Sequence, residues 1–191
     1  MQNKMFLCYQ KNILGQTIKQ KKDGCKLSIK FCLKPKQALI SALNPKTWLT
    51  ALIGFSIMEG FFRFAPKIRL DRIDLFTLNG TYFLPPGRKA SFLGAIMFYG
   101  GAVGWVSLYK SFSLKWNRSS IIKPLTFGTM VFLFASVIVM PITGWVNPYV
   151  RRGIIKKPGF MGLQLAGWRT PMSNFLAHII FSLIVWKLEE K

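Results

Sequence analysis

Acidic residues are scarce in this sequence, and histidine is scarcer still. The 191 residues include six Asp and Glu, 27 Lys and Arg, and one histidine. A single histidine excludes a bis-histidine haem within one chain, and the cysteines (Cys8, Cys25 and Cys32) lack the C-x-x-C spacing of a zinc site. The sequence contains no Ser/His/Asp set, metal-ligand cluster or phosphate loop. We therefore predict that the protein is not an enzyme and holds no metal.

Charge is also missing from long parts of the chain. The runs 90–109 and 125–146 contain no charged side chain, and two further apolar runs contain few ionisable groups. A helix of about 20 residues crosses a hydrocarbon core of roughly 30 Å. A chain that is 51% apolar and carries a net charge of +21 does not fit one solvated domain. We predict an all-α integral membrane protein, a four-transmembrane-helix bundle with spans at about 45–64, 90–109, 125–146 and 171–188.

The first 44 residues are a basic tail. Residues 1–46 contain ten lysines, no arginine and one acid, Asp23. The tail lacks the apolar core of a signal peptide and the arginines of a transit peptide, so we expect it to be retained. We predict two parts, a tail (1–44) lying partly on the membrane surface and a transmembrane domain (45–191). Tail lysines predicted to contact anionic lipid are Lys19, Lys21, Lys22, Lys26, Lys30, Lys34 and Lys36. An acidic partner is the alternative, and nucleic acid is disfavoured because arginines and interleaved aromatics are missing.

The segments between the spans are too apolar for plain loops. Asn44-Pro45 predicts the start of the first helix, since Asn is a good N-cap and Pro fits the first turn. Residues 65–89 predict a short interfacial helix that ends at Asn79-Gly80. Residues 147–170 have a basic half and an apolar half. The basic half is predicted to contact lipid headgroups through Arg151, Arg152, Lys156 and Lys157.

The distribution of basic residues predicts the orientation in the membrane. Sixteen of the 27 Lys and Arg fall on the side of the tail and eleven on the other side, so both termini are predicted to be cytoplasmic. The tail supplies this excess, and without it the bias reverses. We predict a multi-pass protein of the bacterial inner membrane, with an organellar inner membrane or a thylakoid membrane as the alternatives.

Small residues predict where the helices approach each other, because helix packing in lipid depends on close van der Waals contact. Gly100-x-x-x-Gly104 in the second span predicts that this helix is central, with homodimerisation as the alternative. The residues predicted to pack are Gly54, Gly60, Gly94, Gly100, Gly104, Gly128 and Ala177.

Ionisable groups inside the spans are costly and are candidates for function. Glu59 and Arg63 are spaced i, i+4 and can pair, and His178 lies at a matching depth on the fourth span. With Asn174 and Thr143 they define a candidate polar site. Three interpretations remain open: a structural hydrogen-bond cluster, a site for a ligand or proton, or axial ligation of a haem or chlorophyll by His178.

Several short motifs within residues 48–188 are shared with one family. They are Met58-Glu59-Gly60, DRIDLFTLNG (71–80), Phe127-Gly128, MPITG (140–144) and LAHII (176–180). In these motifs the chain resembles small, uncharacterised four-helix bacterial inner-membrane proteins. The resemblance implies four membrane helices and no agreed activity. Members tend to carry a further histidine in the second span, where this chain has Ile96-Met97-Phe98-Tyr99.

Three functions are predicted, in order of preference. The first is a structural or accessory integral membrane protein that packs against other membrane-protein subunits or anionic lipid. The second is a small oligomeric transporter or channel that uses the polar site. The third is a pigment-binding or haem-binding subunit that ligates its cofactor through His178.

Overall fold

The computed structural model describes residues 42–113 and 121–190, and near the N-terminus it gives the backbone of two short strands. β1 (Tyr9–Lys11) and β2 (Thr17–Lys19) pair antiparallel, with Tyr9 opposite Lys19. These strands belong to a compact unit, Met1–Leu33, distinct from the unit Lys34–Lys191. Of the tail lysines predicted to contact lipid, six lie outside the described residues: Lys21, Lys22, Lys26, Lys30, Lys34 and Lys36.

Within residues 42–113 and 121–190 of the second unit, all the regular secondary structure is helical. In chain order the helices are α1 (Pro45–Phe64), α2 (Leu75–Gly80), α3 (Arg88–Ser113), α4 (Ile122–Val146), α5 (Pro148–Arg151), α6 (Leu163–Ala166) and α7 (Arg169–Glu189). Short 3-10 turns extend α1 (Ala65–Ile68) and precede α6 (Phe160–Gly162). Four helices, α1 with its extension, α3, α4 and α7, are long and apolar enough to cross a membrane. For the described residues of the second unit, the all-α fold and the four apolar helices are thus confirmed.

The predicted start of α1 is confirmed in detail. The Asn44 side chain accepts a hydrogen bond from the Lys46 amide (2.8 Å), and Pro45 is the first helical residue. This satisfies one of the amide groups that a helix N-terminus leaves without a partner.

The four long helices form an arc in the order α3, α1, α7, α4. α1 packs on both α3 and α7, and α4 packs on α7. The core between them includes Phe55, Met58, Phe62, Val106, Tyr109, Phe181 and Val185. α3 and α4 are the two ends of the arc, and aromatic side chains join them: Trp105 with Phe134 and Tyr109 with Phe127. The centre of the bundle is therefore α1 and α7, and the prediction of a central second span is wrong.

Four of the seven small residues predicted to pack lie at close helix contacts: Gly54, Gly94, Gly128 and Ala177. A side chain at Gly128 would place its Cβ 2.5 Å from Ser182 Oγ, so α4 approaches α7 closely there. Gly94 lies against the carbonyl of Phe76, which lets α2 pack on the first turns of α3.

The other three, Gly60, Gly100 and Gly104, make no such contact, and the prediction of packing within the chain is wrong for them. A Cβ on any of them would meet no atom within 4 Å in the described part. α3 buries Ala102 and Val106 in the core, and Gly100-x-x-x-Gly104 lies on a different, exposed face. Because this helix is apolar on all sides, its sequence does not reveal which side meets the other helices.

The end of the bundle at which α1 starts is called the tail-side end, and at the opposite end the two connections fold against each other. α2 ends at Gly80 as predicted, and Asp74 caps its start by accepting a hydrogen bond from the Thr77 amide (3.0 Å). The buried Asn147 donates to the Leu78 carbonyl (3.1 Å) and to Thr81 Oγ1 (2.9 Å). The connections therefore form a structured cap over this end of the bundle, which we call the outer cap (residues 69–87 and 147–168).

Candidate functional site

A cavity of about 260 Å³ lies between the long helices, beneath the outer cap. Its walls are mostly apolar and include Phe55, Met58, Met97, Phe98, Trp105 and Phe134. Its polar lining consists of Asn79, Thr143, Asn174 and His178. No charged side chain of the described residues lines it, so the cavity is suited to a neutral molecule.

The cavity opens between α3 and α4, the two ends of the arc. The lining residues Met97 and Gly101 on α3 and Phe134 and Val139 on α4 are exposed. Towards the tail-side end the gap is closed, since the rings of Trp105 and Phe134 lie 5.6 Å apart between centroids. A molecule entering between α3 and α4 therefore approaches from the side of the bundle and not along its axis.

α4 changes its winding where it borders the cavity. Its section Phe134–Val139 is π-helical, and Pro141, which has no amide hydrogen, follows in the next turn. π-helical turns are rare and often mark functional sites, because the extra residue redirects the side chains around it. Ser136 in this section accepts a hydrogen bond from Asn174 Nδ2 (2.9 Å), which fixes α4 to α7 beside the cavity.

His178 lines this cavity, and one of its ring nitrogens has no hydrogen-bond partner among the described residues. Its Nδ1 lies 2.7 Å from the carbonyl oxygen of Asn174. A carbonyl can only accept, so Nδ1 carries the hydrogen, and in the neutral ring Nε2 is the acceptor. Within residues 42–113 and 121–190 Nε2 makes no hydrogen bond, and no completely buried polar side-chain atom there lacks a partner. Nε2 therefore keeps accessible surface, and the space that His178 lines is the cavity.

The structure brings together three of the five residues predicted for the polar site. His178, Asn174 and Thr143 line one cavity, whereas Glu59 and Arg63 do not. The predicted i, i+4 pair is confirmed, with Arg63 Nε donating to Glu59 Oε1 at 3.0 Å. No hydrogen bond or ion pair joins Glu59 to His178 in the described part. The two share a depth but not a direction: adjacent residues on a helix point about 100° apart, and it is Met58 that faces the cavity.

A charged cluster at the tail-side end of the bundle was not predicted. Glu189 pairs with Lys110 (3.1 Å) and accepts a hydrogen bond from Thr50 (2.7 Å). Glu190 pairs with Lys123 (3.3 Å), so the two carboxylates connect α1, α3, α4 and α7. The sequence carries one signal for this cluster: two of its only six acids are adjacent, at the end of the fourth span on the side rich in basic residues. In the sequence, Lys110 and Lys123 count only as charges that set the orientation.

Glu190 collects further hydrogen bonds in this cluster. Its Oε1 accepts from Ser113 (2.5 Å) and Tyr109 (3.2 Å), and its Oε2 accepts from Trp186 (2.8 Å). Partial burial opposes ionisation, but the hydrogen bonds from Ser113, Lys123, Trp186 and Tyr109 outweigh it. The pKa of this carboxyl is therefore below its ordinary value.

Among the described residues no group of three or more His, Cys, Asp or Glu side chains is placed to hold a metal ion. Comparison with protein-family models, with curated proteins and with solved structures finds no match to this chain. The resemblance to uncharacterised four-helix membrane proteins therefore stays a prediction.

Proposed function

We propose that this chain is a multi-pass membrane protein whose cavity binds a neutral lipophilic molecule that donates a hydrogen bond to His178 Nε2. Insertion in a membrane is supported by the four apolar helices and by the many large apolar side chains on their outer surfaces. Examples on α1, α3 and α4 are Trp48, Leu52, Phe92, Ile96, Ile138 and Trp145. Apolar surface of this extent suits lipid and not water.

The observation that carries the proposal is the hydrogen bond from Nδ1 of His178 to Asn174. It fixes the tautomer and the orientation of the ring, so that an acceptor stands ready in an apolar space. A hydrogen bond formed there is stronger than one formed in water, because few water molecules compete for it. The opening between α3 and α4 would face the hydrocarbon, from which a lipophilic molecule can enter.

The size and lining of the cavity favour a small lipophilic molecule over a haem, a chlorophyll or an ion. About 260 Å³ is at or below the lower end of small-molecule pockets, which fits a single ring or part of a chain better than a haem or chlorophyll. Ligation of such a cofactor by His178 stays a prediction. Transport of an ion is less well supported, because no carboxylate lines the cavity and Glu59 already pairs with Arg63.

An accessory role is the second candidate, and one observation favours it. Gly100 and Gly104 lie on an exposed face of α3, where a helix of another subunit or of a second copy could approach closely. The bacterial inner membrane, cytoplasmic termini and contact with anionic lipid complete this proposal. The basic residues of the outer cap predicted to meet lipid headgroups, Arg151, Arg152, Lys156 and Lys157, are exposed.

The test compares two neighbouring glycines. Gly101 lines the cavity and Gly100 does not, yet a Cβ at either position meets nothing within 4 Å. Gly101→Leu should therefore fill the opening, while Gly100→Leu makes the same change outside it. The protein and its variants are purified in mild detergent, and the organic molecules that co-purify are extracted and identified by mass spectrometry.

We expect one lipophilic species to be retained by the wild type and by Gly100→Leu, and lost from Gly101→Leu and His178→Phe. An absorption spectrum of the same samples reports any tetrapyrrole. Identical extracts from all four proteins would contradict the proposal.

A further inference from the structure

A second cavity, of about 300 Å³, lies within the outer cap. Asp71, Arg72 and Asp74 line it from the first connection, and Lys156 lines it from the second. It is separate from the His178 cavity and shares only Leu78 with it. Binding in the second cavity therefore does not depend on the function proposed for the first.

The four charged side chains of this cavity are not paired with one another. The ion pairs formed by the described residues involve other side chains, so two carboxylates and two cations face one space without neutralising each other. Arg72, Asp74 and Lys156 are exposed and Asp71 is half-buried, so a group that carries both kinds of charge can reach all four side chains and pair with them.

Hydrogen bonds hold three of the four charged groups in place and leave capacity for a ligand. Asp71 Oδ2 accepts from Thr170 Oγ1 (2.6 Å), and Asp74 Oδ1 accepts from the Thr77 amide (3.0 Å). The second oxygen of each carboxylate has no partner in the described part. Lys156 Nζ donates to the carbonyl of Leu165, which also lines the cavity, so the ammonium is fixed at the wall.

We infer that this cavity binds a zwitterionic group with a primary ammonium and a phosphate, as in the headgroup of phosphatidylethanolamine. The carboxylates of Asp71 and Asp74 would accept hydrogen bonds from the ammonium, and Arg72 and Lys156 would bind the phosphate. A quaternary ammonium fits less well, because it is usually held by aromatic rings and the cavity has none in its lining.

The surroundings favour a lipid as the source of this headgroup. The second connection, which supplies part of the lining of the cavity, also carries exposed large apolar side chains, among them Ile154, Phe160 and Trp168. Their position at the ends of the long helices is where aromatic and apolar residues meet the interface of a membrane. Free phosphoethanolamine has the same ammonium and a phosphate that carries up to about one further negative charge, and the test separates the two sources.

The test uses the delipidated full-length protein in detergent. Its affinities for phosphatidylethanolamine, phosphatidylcholine and phosphatidylglycerol with identical acyl chains are measured by native mass spectrometry, with free phosphoethanolamine as a competitor. We expect phosphatidylethanolamine to bind about tenfold more tightly than the other two lipids, the ratio that one additional charge-assisted hydrogen bond provides.

Substitutions divide the site into its anionic and cationic halves. Asp74→Asn keeps the helix cap and removes the charge, so it should abolish the preference for phosphatidylethanolamine and leave binding of phosphatidylglycerol no weaker. Asp71→Asn, which keeps an acceptor for Thr170, should act as Asp74→Asn does. Lys156→Gln should weaken all three lipids by a similar factor, because each carries the phosphate. The control is Lys89→Gln, an exposed cation outside the cavity to which no lipid contact is assigned, and it should change no affinity.

The possible outcomes are distinct. Equal affinity of the wild type for the three lipids, or a preference that survives both aspartate substitutions in folded protein, would overturn the inference. Competition by phosphoethanolamine at the concentration of the lipid would support the same chemistry and make a water-soluble zwitterion the ligand. Loss of the co-purifying species from the His178 cavity leaves this result unaffected.

Discussion

Glu190→Gln is the substitution that probes the tail-side charged cluster most cleanly. The change removes the ion pair with Lys123. Ser113 and Trp186 donate to different oxygens of the carboxylate, and the amide of Gln keeps only one oxygen, so one of the two hydrogen bonds is lost. An exposed ion pair contributes up to about 1 kcal/mol, and breaking a fully buried one costs about 3–5 kcal/mol. The side chains of Lys123 and Glu190 are 8% and 22% exposed, between these limits. We therefore expect a loss of about 2 kcal/mol in the free energy of unfolding, since solvent at the helix ends weakens the pair.

The assay is thermal unfolding in detergent, followed by tryptophan fluorescence. For a chain of this length about 2 kcal/mol corresponds to a fall in Tm of about 4–8 °C. Lys187→Gln, an exposed residue in the same helix turn, is the control and should leave Tm unchanged. The pKa of Glu190 is lowered in the folded state, so its contribution is complete above the ordinary value of 4.5 and is lost as the pH falls through the folded value.

The difference between wild type and Glu190→Gln should accordingly shrink below pH 4.5. A double-mutant cycle with Lys123→Met should show coupling between the two positions. Equal Tm values for Glu190→Gln and Lys187→Gln, or additive effects at positions 190 and 123, would show that Glu190 does not stabilise the fold through Lys123.

Three further predictions concern the packing and the orientation. Gly128→Ala should destabilise the fold by about 1–3 kcal/mol, because the new Cβ lies 2.5 Å from Ser182 Oγ. Gly60→Ala has open space around it and should stabilise the fold by up to about 1 kcal/mol, and unfolding in detergent measures both changes. Gly100→Leu and Gly104→Leu should leave the Tm of the monomer intact and lower the fraction of dimer or of partner complex on size-exclusion chromatography, and unchanged assembly would show that this face meets lipid. Replacing six tail lysines by Gln should mix or invert the orientation of reporter fusions, and an exported N-terminus in the wild type would contradict the predicted topology.

The long helices could be predicted because a span is defined by length and composition, which are local properties. The starts and ends of α1 and α2 could be predicted for a similar reason, since Asn44-Pro45 and Asn79-Gly80 act within one turn. The rotation of each helix could not be predicted. In a lipid environment the buried and the exposed faces are both apolar, so nothing in the sequence distinguishes the face of Gly94 from that of Gly100.

The candidate site could likewise be predicted only in part. The sequence singles out His178 because it is the one ionisable group of its span, and it also points to the polar residues Asn174 and Thr143. It cannot show that Asn174 accepts from Nδ1, because that depends on the side-chain rotamer of His178. Depth alone groups Glu59 with His178, and the direction in which each side chain points separates them.

In the proposed function, His178 Nε2 accepts a hydrogen bond from a bound lipophilic molecule. Because the chain has one histidine, labelling histidine with ¹⁵N gives one pair of imidazole nitrogen signals to assign. Nitrogen NMR of the purified protein should show Nδ1 protonated and Nε2 unprotonated. The Nε2 signal should move when the co-purifying organic molecules are removed and return when the extract is added back, while Gly101→Leu shows the extracted position throughout. A proton on Nε2, or an Nε2 signal that does not respond to extraction, would contradict the claim.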